Sequence, residues 1–291
     1  MKKYIFFCLT VSLFCGALSA QNVKLGLKGG ALIPNLITAE STPVSDGFSS
    51  RVTPGVGLFT ELGLNERWSL RLGVEYNELG GKKDGMQAMP TERLVTSAAT
   101  ALGMGADAAT VGSLVGIAVQ NPLYYANVDT KISLDYVLIP ILAQYQLNLG
   151  TSAWSLNINA GPYVSFLVSA EQHTDGNSRI YADPSGSVML WDRLHVDVQT
   201  ALSANPSLSG FASQLQNESP QGKTDISGEM KTTNFGLMGN LGLRYKCNSN
   251  NYFFVEAGGN YGLVPLQTDD KYGSFRVSSI SIMLGYAFSL F

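Results

Sequence analysis

The chain has 291 residues, of which 14% are charged and 45% hydrophobic, with 19 basic side chains against 22 acidic ones. So little charge falls well below the ~25% of soluble domains, and a net charge of −3 argues against nucleic acid as a partner. Beyond residue 20 no run approaches the ~20 consecutive apolar residues of a membrane helix, so helical spans do not explain the missing charge.

Lys2 and Lys3 precede an apolar run over 4–14, and small residues lead up to Ala20. This reads as a secretory signal peptide over 1–20, cut before Gln21 or one residue earlier. Phe14 ahead of Cys15 argues against a lipoprotein anchor. In the remaining chain, read as a single domain over 21–291, only Cys247 is left, so no intrachain disulfide forms.

Apolar residues then fall at alternate positions in eight segments: 23–31, 55–64, 68–79, 134–149, 154–170, 235–246, 252–263 and 277–291. That is the period of a strand facing two different environments. Short turns close three hairpins, around Asn65-Glu66-Arg67, Gly150-Thr151 and 247–251. The other links are longer, above all about 81–133 and 171–234, so short and long connections alternate. The pattern predicts an all-β fold: an eight-stranded antiparallel up-and-down transmembrane β-barrel with long extracellular loops containing short helices. Eight strands leave an interior that side chains fill.

The faces follow from the alternation. Leu27, Leu58, Val74, Ile139, Ile158, Leu241 and Ile280 to Leu290 are expected to meet lipid. Inward fall the cations Lys24, Lys28, Arg71 and Arg244, opposite the anions Glu61, Glu75 and Glu256. Nearly balanced charge predicts a structural pairing network rather than an ion path, because unpaired buried charge is costly. Trp68, Tyr145, Trp154, Tyr245 and Phe253 near the short turns, and Tyr76, Phe166, Phe235 and Tyr261 toward the loops, are expected to form two aromatic girdles.

The strings GVGLFTELGLNERWSLRLGVEYNELGGKK (55–83), YVLIPILAQYQLN (136–148), NAGPYVSFLV (159–168), GGNYGLVPL (258–266) and LGYAFSLF (284–291) give the chain a family likeness. It resembles the PorT-like outer-membrane β-barrel family of Bacteroidota, over nearly all strands and neither long loop. The resemblance implies a place in the outer membrane, with lipid as solvent. It also implies a barrel-assembly signal in the last strand, Gly285, Phe288 and Leu290, with Phe291 one residue beyond, read by the barrel-assembly machinery during insertion. The namesake's association with type IX secretion makes an accessory role in that export route an alternative function.

The loops carry what specificity the sequence offers. An Ala-rich stretch over 91–118, broken near Gly103-Met104-Gly105, reads as two short helices, with Leu94, Ala98, Ala101 and Leu102 on one face and Val111, Leu114, Val115 and Ala118 on the other. A second pair is expected over 189–204 and 206–216, with Asn205 as N-cap and Pro206 at the first helical position. Together they predict a folded extracellular cap that binds a protein or glycan through 91–118 and 189–216; the plainer alternative is a shield for the barrel. His173 and His195, near Asp175 and Asp197, suggest a Ser/His/Asp hydrolase only weakly, since serine is too abundant to select one. Asp175-Gly176-Asn177 reads as a turn, not a calcium loop. No catalytic residue, cofactor or metal ligand is assigned, and the expectation is a non-enzymatic barrel of the cell envelope. A small pore and a lipocalin-like soluble carrier, with its apolar face turned inward, are the lesser alternatives.

Overall fold

In the computed structural model, residues 23–95, 116, 120–176, 178–206, 209–217, 222–248 and 250–289 are described. The expected signal peptide, Leu290, Phe291 and most of 96–119 lie outside them. Eleven strands follow in chain order: β1 (Val23–Glu40), β2 (Thr53–Gly63), β3 (Trp68–Lys83), β4 (Met86–Pro90), β5 (Leu123–Asn127), β6 (Asp129–Asn148), β7 (Trp154–Asp175), β8 (Gly222–Asp225), β9 (Thr233–Lys246), β10 (Asn251–Gly262) and β11 (Ser274–Ser289). Eight of them close a ring in the order β6-β3-β2-β1-β11-β10-β9-β7, which the β6–β7 pairing seals. Every pair is antiparallel. The eight-stranded up-and-down barrel expected from the alternation is the fold.

Pro140 and Pro162 interrupt the ladder rather than the barrel. Neither has an N–H to donate. The β3–β6 register skips from Leu72↔Ile141 to Glu75↔Leu138, and the β6–β7 register from Pro140↔Tyr163 to Ala143↔Ala160.

Outward, Leu58, Val74, Ile141, Leu241 and Ile280 are between 47% and 66% exposed, so the apolar face points away from the lumen, opposite to the lipocalin arrangement. At the short-turn end this face is rimmed by tilted cross-strand ring pairs: Trp68–Tyr145 at 4.8 Å between ring centroids, Trp154–Tyr245 at 4.9 Å and Phe253–Tyr286 at 4.8 Å. Tyr76, Phe166, Phe235 and Tyr261 are the exposed aromatics toward the loops. Aromatic rings at both edges of an apolar band are what a lipid bilayer selects.

The strands are longer than the alternation of apolar residues suggests. β6 has 20 residues and β7 has 22, whereas a tilted spanning strand needs only ~9–11. The reason is an inversion of faces. On β6, Ile139 and Ile141 point outward; nearer the loops Lys131, Ser133 and Asp135 take the outer face, and Ile132, Leu134 and Tyr136 are buried inside. The barrel therefore continues past the apolar band as a water-facing barrel. Its interior there is an apolar cluster that includes Leu32, Leu79, Leu134, Tyr136 and Val277, with Ile226, Met230 and Leu266 from the loops packed into it.

Candidate functional site

Nearer the short turns the lumen is charged. Pairing register sets Glu61 opposite Lys24 on β1 and opposite Arg71 on β3. Arg71 nonetheless reaches across the lumen to Glu256 on β10, with Nη1 2.5 Å from Oε1. Its guanidinium lies 3.5 Å from the centroid of the Phe59 ring, a cation–π contact in a desolvated setting. Glu61 receives Arg244 of β9 at 3.0 Å and the Tyr252 hydroxyl at 2.6 Å, while Lys24 stands off at 3.9 Å. Arg244 also donates to Gln144. Lys28 and Glu75 pair at 2.6 Å, and the side-chain amides of Asn157 and Asn159 donate to Glu256 at 3.3 and 3.2 Å.

All seven charged residues expected in the lumen are thus brought together, with Lys24 at the margin. Gln144, Tyr252, Phe59 and Phe254 are members that alternation alone did not single out. The ties from β2 to β9 and from β3 to β10 brace the ring across its width, while the one from β1 to β3 spans only the intervening β2. Gly26 and Gly285 face inward where Phe59 and Phe254 come close; a Cβ at either would overlap those rings. Gly285 therefore has a packing duty in the described structure besides any role in assembly. Phe288 faces outward and is 37% exposed.

The second constellation is the cap. β4 and β5 form a hairpin that the sequence reading did not foresee, joined at its edge by Tyr181, which exchanges backbone hydrogen bonds with Tyr125 at 2.7 and 2.8 Å. Helices α1 (Leu190–Arg193), α2 (Val196–Ala204) and α3 (Ser209–Asn217) share a buried apolar cluster with it. Met89, Leu94 and Tyr124 of the first long loop share one buried cluster with Ile180, Leu190 and Leu202 of the second. Both long loops therefore build a single apolar core above the barrel.

The helices differ in detail from expectation. The one expected over 189–204 is broken: Leu194 and His195 are extended, and the His195 imidazole accepts a hydrogen bond from the Asp197 amide, starting α2 afresh. Of the one expected over 206–216, Pro206 lies in a 3-10 turn, 207–208 fall outside the described residues, and α3 runs from Ser209; Asn205 is extended and closes α2. Of the expected pair over 91–118, residues 91–95 are helical and nearly all the rest lies outside the described residues. His173 sits on β7 between Lys131 and Lys223, far in role from the capping His195. Among the described residues no three His, Cys, Asp or Glu side chains converge as a metal site requires.

Two polar ties fasten the cap to the barrel rim. Arg93 donates to Glu229 at 2.6 Å and to Gln172 at 3.0 Å. Glu92 accepts from Lys271 at 2.5 Å and from the Tyr272 hydroxyl at 2.8 Å. Hydrogen bonds from Lys271 and Tyr272 hold the Glu92 carboxyl below its ordinary value. A carboxyl depressed in the folded state contributes stability above its unfolded value, about 4.3 for Glu, and loses it as pH falls through the lowered one. Carbon-detected NMR should find Glu92 titrating below the ordinary carboxylate range, and Lys271→Met should move it back up. An unchanged titration in that variant would remove the tie.

The Outer membrane protein beta-barrel domain family model matches residues 19–268. No curated protein is similar enough to be matched. Similar solved structures include Neisserial surface protein A, at 10% identity over 92% of this chain and 97% of that one with a TM-score of 0.40. Ail of Yersinia pestis is 11% identical over 91% and 98%, with a TM-score of 0.35. OprG of Pseudomonas aeruginosa is 11% identical over 92% and 95%, with a TM-score of 0.34. Likeness at this level passes no ligand or partner to this chain.

Proposed function

Because the chain belongs to the Outer membrane protein beta-barrel domain family, we propose that it is a non-enzymatic outer-membrane barrel whose extracellular cap binds a protein or glycan while its lumen stays closed. The observation that carries the reading is the cluster uniting Met89, Leu94 and Tyr124 with Leu190 and Leu202. A mere shield needs no common core, since flexible polar loops cover a rim equally well. A rigid platform above a rigid barrel is how loops are made specific. Photo-crosslinkers placed at exposed positions such as Val196 and Thr200 on intact cells should capture one recurrent partner. Recurrent capture of nothing would favour the shield.

The closed lumen has its own test. Cross-lumen ties below and an apolar cluster above fill the lumen among the described residues, so reconstituted protein should give negligible single-channel conductance in planar bilayers. A reproducible large open state would overturn this. Insertion by the barrel-assembly machinery through the last strand, with Gly285, Phe288, Leu290 and Phe291 as its signal, belongs to the same proposal.

The narrower assignment, to PorT-like barrels with an accessory role in type IX secretion, is supported by the strings at 136–148, 159–168 and 258–266, which lie on β6, β7 and the end of β10. Crosslinked type IX components would establish it.

A further inference from the structure

The outer wall carries a hollow that neither the lumen nor the cap uses, with a volume of about 560 Å³, inside the ~300–1,000 Å³ range of ligand sites. It crosses β9, β10, β11 and β1. Its floor is the register pair Gly239↔Gly259, where two neighbouring strands present no side chain. Leu237, Ile280 and Ile33 stand around it, 56%, 64% and 44% exposed on the lipid-facing side. The lining changes toward the loops: Tyr261 of the girdle, then Asn35, Ser50 and Ser278.

Two positions beyond Ser278 on the same face of β11 comes Arg276, opposite Ile37 of β1. Its Nε is buried and has no hydrogen-bond partner, and among the described residues no carboxylate lies within salt-bridge distance of its guanidinium. Arg276 thus stands beyond the girdle at headgroup level, where a cation without a carboxylate partner is matched by an anionic headgroup. A phosphate suits its fork geometry.

We propose that this hollow is a binding site for an anionic phosphate-bearing lipid of the outer leaflet, its phosphate on Arg276 and one acyl chain laid over Gly239 and Gly259. The inference rests on the outer wall facing lipid. The lining residues supply the apolar channel, the girdle tyrosine marks the headgroup level, and Arg276 supplies the charge that selects the lipid.

The test uses full-length protein in nanodiscs of equal phosphatidylglycerol and phosphate-free digalactosyldiacylglycerol, transferred to detergent and read by native mass spectrometry. Wild type should retain phosphatidylglycerol over the galactolipid by about tenfold, the scale of a charge-assisted hydrogen bond. Arg276→Gln should bring the two to parity. Gly239→Leu should lower retention of both, and it should fold, because a Cβ at Gly239 meets nothing nearer than the Asn159 carbonyl at 3.8 Å. Equal retention in all three proteins would overturn the proposal. So would displacement of the lipid by inorganic phosphate alone, which would mean a site for the free anion, or a crosslinked second copy of the chain across the hollow. Heat-shifted gel mobility separates the two levels of failure: if wild type lacks it, the membrane barrel itself is wrong, whereas a normal shift with unselective lipid retention defeats only the lipid site.

Discussion

Glu256→Ala is expected to destabilise the folded barrel by about 3–5 kcal/mol, the cost of stranding a buried charge by removing its partner. Arg71 is 3% exposed and Glu256 2%, so neither end of the pair can turn to water. With Glu256 gone, Arg71 keeps its contacts with the Phe59 and Phe254 rings but loses the carboxylate, and Asn157 and Asn159 lose their acceptor. The register partner of Arg71, Glu61, is already held by Arg244 and Tyr252. Urea unfolding followed by loss of heat-shifted mobility reads the effect as a lowered midpoint. The double variant Arg71→Met, Glu256→Leu should recover much of the loss, because an apolar pair removes the desolvation cost along with the attraction. If Glu256→Ala and wild type unfold together, the cross-lumen tie is not bracing the ring.

A second large effect is expected in the cap. Leu190 and Leu202 are fully buried, and truncating such a leucine to alanine costs about 2–5 kcal/mol. Because the cap has a core separate from the barrel's, Leu202→Ala should loosen the cap and leave the barrel intact. Hydrogen exchange should show lost protection in α1 and α2 and also in β4 and β5, since Met89 and Tyr124 share the cluster. Protease added to intact cells should cut within the cap sooner. Heat-shifted mobility should not change. Protection lost in the helices alone would mean that the two long loops do not form one core.

The strands and their faces were legible because a period of two survives in any sequence where lipid and lumen differ. Ile280, Ile282 and Leu284 could be assigned outward, and Glu61, Arg71 and Glu256 inward, from parity alone. The partners inside the lumen were not legible. Register gives only neighbours, which would have matched Arg71 with Glu61; the actual tie joins residues 185 apart in sequence, across the width of the barrel. The ends of β6 and β7 were hidden for a different reason. At Lys131, Ser133 and Asp135 the outer face becomes polar while alternation continues underneath in Ile132 and Leu134, so a search for an outward apolar stripe stops too early. The β4–β5 hairpin consists of two five-residue strands separated by a long insertion, without a turn signature to announce it. In the cap, helical spacing runs through Leu194 and His195, and only the capping geometry of His195 shows that one helix has become two.

The reversal of faces along β6 also fixes how deep the molecule sits. Sliding β6 by two residues against a neighbour would keep every side chain on its proper face, so parity alone does not forbid it. Such a slide would nevertheless move the border between wet and oily surface by about 7 Å on one strand only, carrying either Lys131 and Ser133 toward hydrocarbon or Val137 and Ile139 into water. β6 is therefore graduated like a depth gauge, and it agrees with its neighbours only in the native stagger. The platform above the rim is held at one altitude over the bilayer.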